Sequence, residues 1–304
     1  MNATKDPGLG TKFKQPVKRL MNEDGSYNIK RIGGLSKLQD FYKFLIDISW
    51  FKFLCFTGGF YLGINMLFTV LYLVVGMDQL VGVSSNYPPF YSAFFFSVQT
   101  FTTLGYGSIS PSGIASNLIA TVEAFVGLMS FALATGLLYG RFSKPKVKIL
   151  FTKNVILTPF DGGKAMMFKL VNLRKNVLLN TKVDVLLILD KGGQTDSNNK
   201  EYFRVKLEND KVNFFPLTWT IVHKINEKSP LYGMDVPELT RRNAELVILV
   251  ETFDETYGQM ILQKHSYAQH QWKENVKFEK NFRTNQTGQV ELFVNEIDNL
   301  LPVD

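Results

Sequence analysis

Two uncharged stretches constrain this chain more than any other feature. From Phe53 to Met77, 25 residues pass without an Asp, Glu, Lys, Arg or His, and from Gln79 to Val122 another 44 do so, with only Asp78 between them. A helix crosses the roughly 30 Å hydrocarbon layer of a bilayer with about 20 residues, so residues 53–77 are long enough for one span. The second stretch cannot be a single helix. Tyr87-Pro88-Pro89 interrupts it, as does Gly105-Tyr106-Gly107 followed by Pro111. The pattern therefore predicts a second span over residues 114–141, a short helix over 90–101, and non-helical chain at 103–107.

Basic residues flank these spans and are absent between them. Residues 1–52 carry ten Lys or Arg, none follows until Arg141, and Lys144, Lys146 and Lys148 come directly after it. The positive-inside rule then puts both termini in the cytoplasm of a multi-pass cell-membrane protein, with the inter-span segment outside. The net charge of +7 belongs to these flanks, so anionic lipid headgroups rather than nucleic acid are the expected partner. The first 50 residues are polar and basic and do not read as a secretory signal. The single cysteine, Cys55, falls within the first span and offers no intrachain disulfide.

Four segments follow along the chain. Residues 1–34 read as a polar cytoplasmic segment without a core of its own. Over 35–52 the residues Leu38, Phe41, Tyr42, Leu45 and Ile48 share one face of an amphipathic helix, which can lie along the membrane surface or pack on the cytoplasmic domain. Residues 53–142 form the pore domain. From 143 to 304 short β-prone runs at 147–151, 165–171, 183–189, 219–225 and 246–250, with turns at Asp161-Gly162-Gly163 and Lys191-Gly192-Gly193, predict an all-β sandwich.

The chemistry concentrates in Thr102-Thr103-Leu104-Gly105-Tyr106-Gly107, preceded by the aromatic run from Phe90 to Phe101. Irregular backbone at membrane depth is tolerated only where protein buries it or it lines a water-filled path. Glycines alternating with larger residues let successive carbonyls turn the same way. Four such segments around an axis would stack rings of oxygens that replace the hydration shell of a cation. Thr103, Leu104, Gly105, Tyr106 and Gly107 are the candidate ion-binding residues. The short helix before them would direct the negative end of its dipole toward the cation.

Together with the exit sequence from Leu137 to Lys146, Asn172-Leu173-Arg174, and Ser229-Pro230-Leu231-Tyr232-Gly233, this motif resembles the inward-rectifier potassium channel family, in particular its bacterial branch. The resemblance covers about residues 30–300. It implies a potassium-selective homotetramer, an interfacial slide helix before the first span, and an immunoglobulin-like cytoplasmic sandwich that extends the ion path. It also puts Phe131, Thr135 and Tyr139, which recur at i, i+4 and i+8, on the pore side of the second helix as a gate, and Glu251 in the cytoplasmic path. Gly127 within that helix reads either as a hinge or as a close-packing site. The sequence departs from eukaryotic members in lacking cysteines around the filter and in carrying Gln99 and Ile109 where they pair Glu with Arg. Phe131 and Asn180 stand where strong rectifiers have acidic residues.

Lys43, Trp50, Lys52, Arg141, Lys144, Lys146 and Lys148 are candidate lipid-phosphate ligands, set against the simpler reading of positive-inside flanking charge. Glu123, the ionisable residue within the second span, is either directly functional or a hydrogen-bonded support behind the filter. His223, His265 and His270 lack metal-ligand spacing, and no nucleophile, zinc or phosphate-loop motif supports an enzyme. No cofactor is expected beyond potassium as the permeant ion and anionic phospholipid as a candidate regulator, and no partner protein is evident. Two competing readings, a poorly selective pore and a membrane-anchored receptor, fit the Tyr106 filter and the uncharged Gly-Tyr-Gly segment less well.

Overall fold

The computed structural model describes residues 8, 19–30, 32, 37–84, 86, 88–143, 149–174, 176–191 and 200–303. The chain divides into one unit of residues 33–144 and another that combines residues 1–32 with 145–304.

In the first unit, helix α1 spans Lys37–Asp47 and α2 spans Trp50–Val75. Ser49 separates them as the N-cap of α2, its hydroxyl accepting from the Lys52 amide at 3.5 Å. This cap corrects the predicted boundary. Residues 50–52 are the first turn of the spanning helix rather than the end of the amphipathic one, and the span runs 50–75 instead of 53–77; residues 35 and 36 lie outside the described set. Strand β1 (Leu80–Val81) follows, and after it come α3 (Pro89–Phe101), β2 (Ser110–Pro111) and α4 (Ile114–Phe142). Pro89 occupies the first turn of α3, where its missing N–H has no helical partner to lose.

The antiparallel pair β1–β2 ties together the chain entering and leaving the pore segment. The Ser116 hydroxyl strengthens that tie by donating to the Gln79 carbonyl at 2.9 Å. At 26 and 29 residues, α2 and α4 reach roughly 39 and 44 Å, enough to cross a bilayer.

The second unit is the expected all-β sandwich. Its strands are β3 (Ile149–Phe151), β4 (Val155–Phe160), β5 (Gly163–Asn172), β6 (Leu178–Asp190), β7 (Lys200–Val205), β8 (Lys211–Phe215), β9 (Thr218–Ile225), β10 (Glu245–Asp254), β11 (Gln259–Tyr267) and β12 (Trp272–Glu274), with a short helix α5 (Val236–Arg241) before β10. One sheet has the order β11-β10-β6-β7, with β8 also on β6; the other has β12-β4-β5-β3, with β9 also on β5. The apolar core lies between them, where Leu157, Phe168 and Leu170 from one sheet meet Val185, Leu187 and Ile248 from the other. Two small hairpins close the chain, β13 (Val276–Phe278) with β16 (Leu300–Pro302) and β14 (Phe282–Thr284) with β15 (Val290–Leu292).

Each predicted strand lies on one of these, with residues 147 and 148 outside the described set, but β4, β7, β8, β11 and the short strands β12 to β16 escape the sequence pattern, most of them because they carry lysines, glutamines or a proline. Pro159 is tolerated in β4 because the parallel pairing with β12 stops at Leu157 and leaves that side of the strand open. Asp161 (φ 49°) and Gly162 (φ 74°) make the two-residue turn between β4 and β5, the left-handed geometry that suits a twisted hairpin. Residues 192 and 193 of the other predicted turn lie outside the described set.

Part of the N-terminal segment docks on this sandwich, in keeping with its lack of a core. The Leu20 and Met21 amides each donate to the Glu245 carboxylate at 2.8 Å, and Leu20 packs against Ile188 and Tyr202.

Candidate ion-conducting site

Helix α3 ends at Phe101 and its last turn grips the chain that follows. The Thr102 amide donates to the Val98 carbonyl at 3.1 Å, Thr103 to Thr100 at 3.1 Å, and Leu104 to Gln99 at 2.9 Å. From there φ alternates in sign: Thr103 is at 55°, Gly105 at 56° and Gly107 at 79°, while Leu104 and Tyr106 stay in the ordinary negative region. A β-branched residue at positive φ is a true outlier and persists only where its surroundings hold it. Alternation of this kind lets consecutive carbonyls face one side, and glycine supplies two of the three left-handed positions without a steric penalty. The Leu104 and Tyr106 side chains are exposed.

Behind this segment three helices meet around polar groups. Glu123 of α4 is fully buried and accepts from the Tyr72 hydroxyl of α2 at 2.6 Å and from the Ser97 hydroxyl of α3. Ser97 also lies 3.1 and 3.2 Å from the backbone and side-chain oxygens of Asn65. Sequence reasoning found Glu123 but missed its partners. Asn65 and Thr69 were the available signal, since polar side chains inside a span mark interhelical contacts. Gly127 lies one turn on, where a Cβ would fall 2.0 Å from the Phe101 carbonyl oxygen. Close approach therefore requires glycine here, and α4 is continuous through it.

Phe131, Thr135 and Tyr139 lie on the exposed face of α4, and the Thr135 hydroxyl donates to the Phe131 carbonyl at 2.9 Å. One residue before Phe142, in the last turn of α4, Arg141 departs from the expectation that it serves lipid phosphates. It is buried, donates to the carbonyls of Leu45, Ile46 and Ile48, and stacks on the rings of Trp50 (4.7 Å) and Phe53 (4.5 Å). Its guanidinium fork is occupied by the turn between α1 and α2 and is not free for a headgroup. Lys43 and Lys52 are exposed, and Trp50 is partly so. Lys144, Lys146 and Lys148 lie outside the described residues.

In the β unit, Glu251 stands opposite Lys182 in the β10–β6 ladder, next to a bulge where Asn180 takes a φ of 49°. The turn after it is anchored by the fully buried Asp254, whose carboxylate accepts from the Asn176 amide and the Thr256 backbone at 2.9 Å each and faces Arg174 at 3.7 Å. The histidines are structural in their contacts. His223 joins the Lys206 carbonyl to the Ser229 hydroxyl, and burial lowers its pKa. His265 stacks on Phe151 at 4.3 Å and meets Tyr267 edge-on, and burial there pushes it down to about 4. Among the described residues no group of three His, Cys, Asp or Glu is placed to hold a metal.

Comparison with known proteins identifies the family. Residues 149–304 match the profile of the inward rectifier potassium channel C-terminal domain, and residues 60–144 match that of an ion channel. The chain belongs to the inward rectifier potassium channel family. It is 34% identical to the inward rectifier potassium channel Kirbac3.1 of Paramagnetospirillum magnetotacticum, over 84% of this chain and 87% of that one. With G protein-activated inward rectifier potassium channel 4 of Mus musculus it shares 27% identity over 87% of this chain and 68% of the relative. Channel 2 of that type from Homo sapiens shares 26% over 84% and 65%. An alkylpurine DNA glycosylase structure from Pseudomonas fluorescens aligns at a TM-score of 0.20 with 12% identity over 60% of this chain and 48% of its own, which carries no argument. An inward rectifier channel subunit is a membrane protein and not an enzyme. Both of its family-defining regions, the two-span pore and the sandwich, are present in the fold described above.

Proposed function

We propose that four copies of this chain assemble around one axis and conduct dehydrated potassium through rings of carbonyls from Thr103, Leu104, Gly105, Tyr106 and Gly107. The observation that carries this reading is the alternation of positive φ at Thr103, Gly105 and Gly107 in an uncharged segment between two spans. Carbonyl rings of that kind replace the water lost by a permeating cation. The C-terminal end of α3 meets the segment at Thr102, where its dipole favours positive charge.

On this reading the inter-span segment faces outside and both termini are cytoplasmic. The slide helix is α1, the spans are α2 and α4, and residues 143–304 form the cytoplasmic domain that continues the path. Phe131, Thr135 and Tyr139 line the pore, with Tyr139 the constriction, Gly127 the point about which α4 would swing, and Glu251 a lining residue of the cytoplasmic path. Anionic lipid is met by Lys43, Trp50 and Lys52, with Lys144, Lys146 and Lys148 contributing charge from the linker. Each such basic residue near a charged surface contributes about 1 kcal/mol.

The test is uptake of rubidium or potassium into liposomes holding the purified protein, with sodium in parallel and barium as blocker. Barium-sensitive uptake that strongly prefers potassium is expected. Equal sodium uptake would refute the filter.

A further inference from the structure

The carboxylate of Glu123 is fully buried between three helices, and its partners indicate a structural task. Both of its oxygens are occupied by hydroxyl donors, Tyr72 on one and Ser97 on the other, so it offers no free face to an ion. Ser97 lies on α3, one turn before Phe101, and Glu123 lies on α4, one turn before Gly127. The two helices therefore touch twice at matching spacing, by a hydrogen bond between residues 123 and 97 and by close backbone approach between residues 127 and 101. Side chains four apart share one helix face, so these contacts fix both the rotation and the height of α3 against α4. The last turn of α3 passes that position on, because the Thr102, Thr103 and Leu104 amides are bonded to the Val98, Thr100 and Gln99 carbonyls.

We infer that Glu123 is a positioning residue for ion selection, holding α3 through Ser97 so that Thr103 and Leu104 keep the backbone geometry of the filter. This rests on the filter reading above.

A hydroxyl has one proton to donate, and the Tyr72 hydroxyl donates to Glu123, whereas Ser97 has the Asn65 oxygens as alternative acceptors at 3.1 and 3.2 Å. Glu123→Gln can turn its carbonyl to Tyr72 and its amide to Ser97, with the Ser97 proton redirected to Asn65. Glu123→Leu can satisfy neither hydroxyl.

The experiment compares wild type, Glu123→Gln, Glu123→Leu, Ser97→Ala and Tyr72→Phe as full-length proteins in liposomes. It reads the potassium-to-sodium uptake ratio and the barium concentration for half block, after checking assembly by size and thermal midpoint. Loss of a buried hydrogen bond to a charged group corresponds to a change of about tenfold or more. The ratio should therefore fall about tenfold in Glu123→Leu and Ser97→Ala, and Glu123→Gln should recover most of it. Barium affinity should shift with the ratio. If Glu123→Leu does not assemble, Ser97→Ala and Tyr72→Phe carry the test. Assembled variants with the wild-type ratio and wild-type barium block would overturn the proposal alone, while a wild type that does not distinguish potassium from sodium would overturn the filter reading as well.

Discussion

The membrane unit and the β unit bury different kinds of side chain. In the first, the fully buried residues include Asn65, Thr69, Ser97 and Glu123, while Leu62, Leu118, Phe125 and Leu133 stand exposed. In the second, Phe168, Leu170, Leu187, Leu246 and Ile248 are inside. Lipid tails are as apolar as leucine, so a helix in the bilayer gains little by burying one, and polar contacts together with close backbone approach hold the bundle. In water the same leucine leaves a solvent that rejects it, and apolar area drives the sandwich together. The membrane unit is thus pinned at a few points, the Glu123 hydrogen bonds, the Gly127 contact and the Arg141 fork on the α1–α2 turn, beside a small apolar cluster around Phe68, Tyr72, Ala93 and Phe96. The β unit spreads its stabilisation over a continuous core.

This contrast can be broken most directly in the core. Phe168→Ala should destabilise the β unit by about 3–5 kcal/mol, since it removes a large side chain at a site with no solvent to fill it. Leu62→Ala, on the exposed face of α2, should cost under about 1 kcal/mol. Denaturant unfolding in detergent, followed by tryptophan fluorescence, compares them, and similar costs would refute the distinction.

A smaller effect should follow from acid. His265 has a pKa near 4 when folded against an ordinary 6.5, because burial between Phe151 and Tyr267 disfavours the cation. The unfolded chain therefore takes up the proton first as pH falls. The contribution is complete above about pH 6.5 and disappears as pH drops through 4, a loss of about 3 kcal/mol. Unfolding midpoints measured from pH 7 to 4 should show this slope, and His265→Gln should flatten it.

The smallest of the three tests the fixed points of the membrane unit. Arg141→Lys keeps the charge but cannot span three carbonyls and two rings, so about 1–2 kcal/mol should be lost locally. Hydrogen exchange of the amides near Ser49 should quicken by about five- to thirtyfold at that cost. Unchanged exchange would mean that the turn holds its shape without Arg141.

Much of this molecule was readable before its structure. The spans, the short helix before residues 103–107, and the β character of the second half follow from hydropathy, prolines and period, because each is imposed locally on consecutive residues. The left-handed backbone at Gly105 and Gly107 was legible for the same reason, since only glycine adopts it freely. The start of α2 was misjudged by three residues because hydropathy does not register the Ser49 cap, and β7 and β11 were missed because their lysines and glutamines disguise a half-exposed strand.

What the sequence determined alone, then, was the two spans, the short helix and irregular chain between them, the β character of the second half, and the family the chain resembles. The tertiary structure decided which distant groups meet: Tyr72 and Ser97 on Glu123, the Phe101 carbonyl on Gly127, the α1–α2 turn on Arg141, and the N-terminal amides on Glu245. Hydropathy and backbone preference act between near neighbours in the chain. A hydrogen bond between residues 26 to 225 positions apart depends on packing that no local pattern records.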